Sequence, residues 1–295
     1  MKNTVRAAFA VAGKVDGVLQ LFRLLNFVGR CLAEPLHQAQ RARLEALDAA
    51  EALKLSPRLE VLHGPFAGMR YPRAQSTGST LLPKIIGSYE SELHGVMATI
   101  LGRQYSDIVD IGCAEGYYAV GLGLRFAEAR IHAFDTDVKA RRMCLSMAQA
   151  NGIEPRIALA GLCDETTLLA LVLGPRALVV SDCEGYEAQL FTPRVAAGLA
   201  RHDVLIEVHD RTDPQLGIRL RNIFAGSHDC VAVDSIDDAR KARGCAIAEL
   251  EGLDLTMRRA LLSEGRPVIM EWLFFSSRSN PESQSRQAAE LRRVA

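Results

Sequence analysis

Polar side chains stand at or just after the ends of five apolar segments that have the length of β-strands. Each would be an ordinary cap or turn residue if it occurred alone. Because the carboxyl ends of parallel strands meet at one edge of a sheet, a shared edge would bring these side chains together beside a ligand. Carboxylates and an imidazole in one place could bind hydroxyl or amino groups and transfer protons. The five residues are Asp110, Asp135, Asp164, Asp182 and His209.

A turn of small residues follows the first of these segments. Gly112 and Gly116 lack the Cβ atoms that would keep a ligand away from the backbone, and the amides at the start of the next helix can receive an anionic group. About twenty residues further on, segment 131–135 ends in Asp135, which is placed like the ribose-binding carboxylate of two-strand nucleotide sites. The turn and the acid together predict a nucleotide-like ligand.

The turn differs from G-x-G-x-x-G, the fingerprint of nicotinamide dehydrogenases. Ala114 occupies the middle glycine position. Tyr117 occupies the last one, where its bulk is incompatible with the close helix-to-strand packing that a glycine allows. The stretch Asp110–Tyr118, in the form D-I-G-x-x-x-G-Y-Y, instead resembles motif I of class I S-adenosylmethionine-dependent methyltransferases. The sequence therefore favours S-adenosylmethionine over NAD as the cofactor.

A second stretch narrows the resemblance. Residues 182–190 resemble the D-x-E-G-x-E-x-x-L element that follows strand four in FkbM-type methyltransferases. By motif, the resemblance covers residues 80–210. The chain departs from FkbM-type sequences after strand two, where Asp135-Thr136-Asp137 replaces a Glu-Pro pair. An aspartate can still bind both ribose hydroxyls, so the departure concerns the subfamily and not the cofactor.

The resemblance also implies a set of cofactor-binding residues. In class I methyltransferases the segment before the first strand often closes over the cofactor, which points to Tyr89, Glu90 and His94. The alternative is that Glu90 lies on a solvated helix face and His94 is a capping or surface residue. The adenine ring would lie at the end of strand three, beside Asp164. The predicted set is Tyr89, Glu90, Asp110, Gly112, Cys113, Ala114, Gly116, Tyr117, Asp135, Thr136, Asp164 and Asp182.

The resemblance to FkbM-type enzymes implies transfer of a methyl group to a hydroxyl oxygen of a small or sugar-like acceptor. Such a reaction needs alignment of the acceptor, exclusion of water and removal of one proton. His209 is the first candidate for the base because an unperturbed imidazole titrates near neutrality, and Glu184 is the second. A divalent metal ion held by Asp182, Glu207 and His209 is a less favoured alternative, since strand-end carboxylates commonly cluster without one.

Composition argues against several classes of protein. Lys and Arg together number 35, as do Asp and Glu, and the isoelectric point is about 7.0, so no overall field would attract nucleic acid. Seven cysteines without a C-x-x-C pair argue against a disulfide framework and for a reduced, cytoplasmic protein. The apolar run 7–12 is too short for a signal peptide or an integral membrane segment. A small molecule is the expected partner.

The order of helical and strand patterns predicts an α/β fold. We expect a Rossmann-like, seven-stranded class I methyltransferase sheet whose last strand is antiparallel, with a helical N-terminal extension. Segments 230–233 and 268–275 are the two late strands. The predicted regions are a helical N-terminal extension at 1–56, a hairpin or cap segment at 57–87, a methyltransferase domain at 88–276 and a flexible tail at 277–295.

The N-terminal extension allows several roles. Seven basic residues against two acids in residues 1–43 would suit a membrane surface. An amphipathic helix more often packs on its own domain or on a second copy of the chain, which would form a homo-oligomer. A chain that kept the cofactor fold without catalysis could instead be an interaction module that binds through residues 1–55. An open pocket beside His209 would favour the enzyme, and a pocket filled by His94 or by residues 64–71 would favour the inactive module.

Overall fold

A computed structural model describes Arg23 and residues 38–40, 42–211, 213–266 and 268–279. The chain divides into two units, residues 1–48 and residues 49–295. In the first unit, residues 38–40 and 42–48 are helical, within the predicted helical extension 1–56. Apart from Arg23, residues 1–37 of the predicted helical extension lie outside the described residues, as does the predicted tail beyond residue 279.

A seven-stranded sheet is the frame of the second unit. Its spatial order is β3-β2-β1-β4-β5-β7-β6, with parallel pairing from β3 to β5 and antiparallel pairing of β7 with both β5 and β6. The predicted Rossmann-like sheet with an antiparallel last strand is therefore confirmed. The strands are β1 Asp107–Ile111, β2 Arg130–Phe134, β3 Ile157–Ala160, β4 Ala177–Ser181, β5 Asp203–Val208, β6 His228–Asp234 and β7 Glu271–Ser277.

Both faces of the sheet carry an apolar core, because side chains alternate along each strand. On β7, Trp272 and Phe274 belong to one core, and Leu273 and Phe275 belong to the other, as the sequence pattern predicts. Helices and short 3₁₀ turns connect the strands. The helices are Leu81–Ile86, His94–Leu101, Tyr117–Arg125, Val138–Ala150, Glu165–Ala170, Glu187–Leu190, Pro193–Gly198, Leu216–Phe224, Asp238–Gly244 and Leu255–Leu262; the 3₁₀ turns are Ser91–Leu93, Glu154–Arg156 and Ala248–Leu250.

The helix after β2 shows how local sequence sets these boundaries. It begins at Val138 because the carboxylate of Asp137 accepts a hydrogen bond from the amide of Lys139, which satisfies a free donor of the first turn. It ends at Asn151 and Gly152, and Gly152 has a φ of +70°. An Asn-Gly pair is a common helix stop signal, and this helix ends at it. Among the described residues, no helix is both long and apolar enough to cross a membrane.

In the predicted hairpin or cap segment 57–87, the strand pairing is a single antiparallel bridge between Glu60 and Arg70. The turn of this segment packs on the helix after β1. A Cβ added at Gly121 of that helix would lie 2.5 Å from the ring of Phe66, so a glycine is needed for this approach. The side chain of Arg125 also donates to main-chain oxygens of the turn, including that of Pro65 at 2.7 Å. The segment is thus fixed on the helix.

The connection between β6 and β7, residues 235–270, is a long insertion that contains the helices Asp238–Gly244 and Leu255–Leu262. Sequence patterns predict two strands at its ends but no function for the part between them. In the structure it brings Glu264, Arg266 and Met270 to the edge of the sheet where β1, β4 and β5 end.

Candidate active site

A cleft of about 560 Å³ lies at the carboxyl ends of β1, β2, β4 and β5. This volume is within the range of small-molecule sites. Four of the five predicted strand-end residues line it, namely Asp110, Asp135, Asp182 and His209. The cleft therefore lies where parallel α/β sheets bind their ligands, beside the point where the strand order reverses from β1 to β4.

Asp164 differs from the prediction. Its carboxylate accepts a hydrogen bond from the amide of Thr167 at 2.8 Å and caps the helix Glu165–Ala170. It is not among the residues that line the cleft, where Leu162 and Cys163 take the expected place instead. An Asp before a helix has this capping role wherever the first turn needs an acceptor.

The glycine turn after β1 is shaped by its neighbouring strands. Gly112 has a φ of +87°, and a Cβ there would lie 1.8 Å from the main-chain oxygen of Asp182. The amides of Gly112 and Cys113 both donate to the main-chain oxygen of Phe134, at 2.8 and 2.9 Å. Gly112 is thus required because the turn crosses the end of β4 at close range, and the turn itself lines the cleft.

Gly116 has a different role from the one predicted. A Cβ at this position, where φ is +101°, would lie 2.8 Å from the sulfur of Cys144, and Gly116 is not among the cleft-lining residues. The glycine allows the turn to pack on the helix Val138–Ala150. Tyr117, the next residue, does line the cleft, and its ring meets that of Tyr89 edge to face at 5.1 Å between centroids.

Asp135 is held rigidly at the end of β2. Its two carboxylate oxygens accept hydrogen bonds from the amides of Ala114 at 2.9 Å and Asp137 at 2.8 Å. Each carboxylate oxygen has a second lone pair, which is available to a ligand. Thr136 and Asp137 also line this part of the cleft. The arrangement fixes the acid at the part of the cleft where the sequence predicts a ribose-binding carboxylate.

Asp110 is a buried acid whose hydrogen bonding is incomplete. The residue is 2% exposed, and one of its carboxylate oxygens has no hydrogen-bond partner among the described residues. Burial raises the pKa of Asp110 to about 7, and a hydrogen bond from the amide of Ala119 offsets only part of this effect. A cationic or hydrogen-bond-donating group in the cleft would supply the missing partner.

His209 lies immediately after β5 and is surrounded by acids. Its Nδ1 is 2.9 Å from the carboxylate of Glu187, a residue with no exposed surface. Its Nε2 faces three more carboxylates, those of Asp182 at 3.6 Å, Glu207 at 3.6 Å and Glu184 at 3.7 Å. The side chain of Glu184 is 83% exposed, whereas that of Glu207 is only 6% exposed.

These surroundings change the expected titration of His209. Burial alone would lower the pKa of its imidazole, but the hydrogen bond and charge of Glu187, together with the charges of Asp182 and Glu207, raise it to about 9. These surroundings therefore favour the protonated imidazole at neutral pH. The sequence-based argument assumes a histidine with an unperturbed pKa, and the carboxylates around the ring remove that condition. A single sequence does not show that these four carboxylates meet at His209.

Glu90 and His94 do not reach the cleft. Glu90 is 2% exposed and binds Arg266 at 2.7 Å and the hydroxyl of Tyr118. His94 lines a separate cavity of about 420 Å³, and its Nε2 has no hydrogen-bond partner among the described residues. Of the predicted residues before β1, only Tyr89 lines the cleft. Neither His94 nor any residue of the segment 64–71 lines or fills the space beside His209.

Two basic residues that line the cleft are not among those predicted from the sequence. Lys84 is buried, and its ammonium group is 2.5 Å from Glu115 and lies over the ring of Tyr89. Arg266 bridges Glu90 and Glu207, at 2.7 and 2.6 Å. A lysine inside the otherwise apolar run 81–86 is the one local signal for the first. Arg266 also pairs with Glu264, two positions earlier, but its partners Glu207 and Glu90 lie 59 and 176 positions away in the chain, where no local pattern shows them.

No protein-family model matches the sequence, and no curated protein matches it. Several solved structures resemble the chain at low identity. One is a candidate O-methyltransferase from Klebsiella pneumoniae, with 12% identity and a TM-score of 0.41 over 65% of this chain and 81% of that one. Another is a precorrin-6y C5,15-methyltransferase from Geobacter metallireducens, with 10% identity and a TM-score of 0.38 over 62% and 88%.

A geranyl diphosphate C-methyltransferase from Streptomyces coelicolor, crystallised with Mg²⁺, geranyl diphosphate and S-adenosyl-L-homocysteine, shows 11% identity and a TM-score of 0.39 over 64% of this chain and 81% of that one. All three TM-scores lie below 0.5. The similarity therefore supports no conclusion about the substrate or activity of this chain, for which the residues of the cleft are decisive.

Proposed function

We propose that the protein is an S-adenosylmethionine-dependent methyltransferase that acts on a hydroxyl oxygen of a small or sugar-like acceptor. One observation carries this proposal. The glycine turn after β1, the fixed carboxylate of Asp135, and the side chains of Asp182 and His209 all line the same cleft. A nucleoside cofactor and a second, oxygen-bearing molecule would thus meet in one cleft.

The charge of the cleft favours this cofactor over a dinucleotide. Asp110, Asp135, Asp182 and Glu207 all line it. A dinucleotide would bring an anionic pyrophosphate to these acids, and Tyr117 stands where a dehydrogenase has the glycine that lets the helix pack closely on the strand. S-adenosylmethionine carries a sulfonium and an ammonium group. The unpartnered, buried oxygen of Asp110 offers a partner for such a cation.

The residues of the turn suggest how the cofactor would be held. Asp135 would bind the ribose hydroxyls, since amides already fix its orientation. Asp110 would accept from the ammonium group, and the apolar Leu162 with Cys163 would contact the adenine ring. The cofactor supplies an electrophilic methyl group, and the chain has to align the acceptor, exclude water and manage one proton.

The acceptor would lie beside Asp182, Glu184 and His209, on the open side of the cleft. His209 and Glu184 remain the proposed residues for proton removal. Because the raised pKa of His209 leaves little neutral imidazole at pH 7, a change of the charge around it on ligand binding would be part of the reaction. Glu184 is exposed and adjoins the same ring, so the two groups could share the proton.

A catalytically inactive interaction module is the second candidate function. A cleft permanently filled by His94 or by residues 64–71 would favour this function. The cleft is open beside His209, and both segments lie elsewhere. This arrangement supports the enzyme.

Calorimetric titration tests the cofactor. S-adenosylhomocysteine and S-adenosylmethionine should bind with one site per chain, and NAD should not compete. Asp135→Ala should weaken binding, whereas Glu251→Ala, which removes an exposed acid outside the cleft, should not. Tight binding of NAD without a response to S-adenosylmethionine would refute the proposal.

Transfer of a labelled methyl group tests the reaction. The labelled cofactor is incubated with extracts of small molecules, protein and nucleic acid, and the product is analysed for an O-methyl group. Label found only on protein lysines or on nucleic acid would rule out the small-molecule acceptor. Cofactor binding without any transfer would favour the inactive module.

A further inference from the structure

The group formed by Asp182, Glu207 and His209 has the geometry of a metal site. One carboxylate oxygen of each acid and one imidazole nitrogen lie within 4.8 Å of one another. Asp182 directly follows β4, Glu207 lies in β5, and His209 directly follows β5, so neighbouring strands of the central sheet hold all three. We propose that this group binds one divalent metal ion beside the acceptor position; the proposal rests on the function proposed for the cleft.

The two nitrogens of His209 behave differently, and this difference is the main support. Nδ1 approaches Glu187 to 2.9 Å, the distance of a charge-assisted hydrogen bond. Nε2 faces Asp182 and Glu207 at 3.6 Å each and hydrogen bonds to neither. An imidazolium that served only as an ion-pair partner would close on one of these oxygens to about 2.7–2.9 Å. The structure instead leaves 3.6 Å between Nε2 and each of these two oxygens, and this space is called the gap below.

The dimensions of the gap fit an ion. Zinc-type distances to nitrogen and carboxylate oxygen are about 2.0–2.2 Å. Two ligand atoms that are each about 2.1 Å from a common ion, with a ligand–ion–ligand angle of about 110–120°, lie about 3.4–3.6 Å apart. The distances from Nε2 of His209 to Asp182 and Glu207 are both 3.6 Å, which agrees with this separation. Small side-chain adjustments would complete the coordination.

Glu187 supplies the second support. Its buried carboxylate lies 2.9 Å from Nδ1 of His209 and can hold a proton on that nitrogen, so that Nε2 would offer its lone pair to an ion that displaces the other proton. The same carboxylate oxygen accepts from the amide of Cys183 at 3.0 Å, so the acid itself is fixed. A carboxylate that orients the non-ligating nitrogen of a histidine is the usual partner of a metal-binding imidazole. In this chain the orienting carboxylate is that of Glu187, which is not itself one of the three proposed ligands.

The donor set indicates the kind of ion. Arg266 pairs with one oxygen of Glu207 at 2.6 Å, and the other oxygen faces His209. One nitrogen and two carboxylates favour Mn²⁺ or Zn²⁺ over Ca²⁺, which prefers oxygen ligands throughout. Three protein ligands leave coordination positions open. An ion there would lower the pKa of an adjacent acceptor hydroxyl and so assist its loss of a proton. In that state Nε2 of His209 holds the ion, and Glu184 is the neighbouring group left to take the proton.

The test measures Mn²⁺ binding directly. The full-length protein is treated with EDTA, dialysed and titrated with Mn²⁺, and free Mn²⁺ is followed by electron paramagnetic resonance, with Zn²⁺ and Mg²⁺ as competitors. One Mn²⁺ should bind per chain. Asp182→Asn and His209→Gln should each weaken binding at least tenfold, and Glu187→Gln, which alters only the orienting acid, should weaken it by about 10–100-fold. Asp210→Asn, an exposed neighbour outside the group, should leave binding unchanged.

The outcomes separate this proposal from the proposed function. Each variant is first checked for folding by urea unfolding, and S-adenosylhomocysteine binding is measured with and without EDTA. If the cofactor product binds but neither Mn²⁺ nor Zn²⁺ does, the metal site is refuted and the methyltransferase proposal stands. If metal binds equally well to folded Asp182→Asn and His209→Gln, the site lies elsewhere and the assignment fails. If metal binds as expected but the cofactor does not, the proposed function fails.

Discussion

The Gly112→Ala variant probes the contact that shapes the cleft. A Cβ at Gly112 would lie 1.8 Å from the main-chain oxygen of Asp182. Since a relaxed contact is about 3.5 Å, the turn and the end of β4 would have to separate by about 1.7 Å. Such a shift would break the two amide hydrogen bonds, 2.8 and 2.9 Å long, that Gly112 and Cys113 donate to Phe134.

The magnitude follows from these contacts. Two buried hydrogen bonds contribute about 1 kcal/mol each, and a non-glycine residue at a φ of +87° costs about 1–2 kcal/mol more. The free energy of unfolding should therefore fall by about 3–4 kcal/mol, as measured by urea unfolding at 25 °C. Because Asp182 and the turn both line the cleft, the affinity for S-adenosylhomocysteine should also fall, by at least tenfold in calorimetry.

Two other glycines are matched controls. Gly152 has a φ of +70° but no atom within 4 Å of the added Cβ, so Gly152→Ala should show only the backbone cost of about 1–2 kcal/mol. Gly161 lines the cleft and has neither a positive φ nor a close neighbour, so Gly161→Ala should be nearly neutral. If Gly112→Ala is no less stable than Gly152→Ala and still binds S-adenosylhomocysteine normally, the reasoning about the contact with Asp182 is wrong.

Three further predictions concern buried charges. Burial raises the pKa of Asp110 to about 7, whereas an unfolded aspartate titrates at about 4, so the native state retains a proton that the unfolded state releases between these values. Stability should therefore decline from about pH 4 to about pH 7 through this group, and urea unfolding of Asp110→Asn should show a smaller decline; an unchanged pH profile would contradict this. Asp203→Ala should lower the free energy of unfolding by about 3–5 kcal/mol, because it removes the carboxylate that binds Arg103 at 2.8 Å in the buried base of the sheet; a loss below about 1 kcal/mol would argue against it. Lys84→Met should destabilise more than the double variant with Glu115→Gln, since the single change leaves a buried carboxylate unpaired; strictly additive effects in a double-mutant cycle would show that the two groups do not interact.

The sequence by itself determined much of the frame. Continuous apolar strands, an Asn-Gly helix stop and the spacing of the strand-end residues are local signals, because they depend on periodicity and on the backbone preferences of a few neighbouring residues. The seven strands and the antiparallel last strand follow from them, with bounds that differ by a few residues. The same signals place Asp110, Asp135, Asp182 and His209 on one edge of the sheet, where the structure has them.

Only the tertiary structure decided what these residues do. The pKa of His209 depends on its contact with Glu187. The ion pairs of Glu90 and Glu207 depend on Arg266, which the folding of a distant segment brings to them. Two glycines of the same motif also have different roles in the structure. Gly112 permits the turn to pass close to the end of β4, and Gly116 permits packing on a helix. Interactions between charges depend on distance and burial in space, and a pattern of neighbouring residues in one chain contains neither.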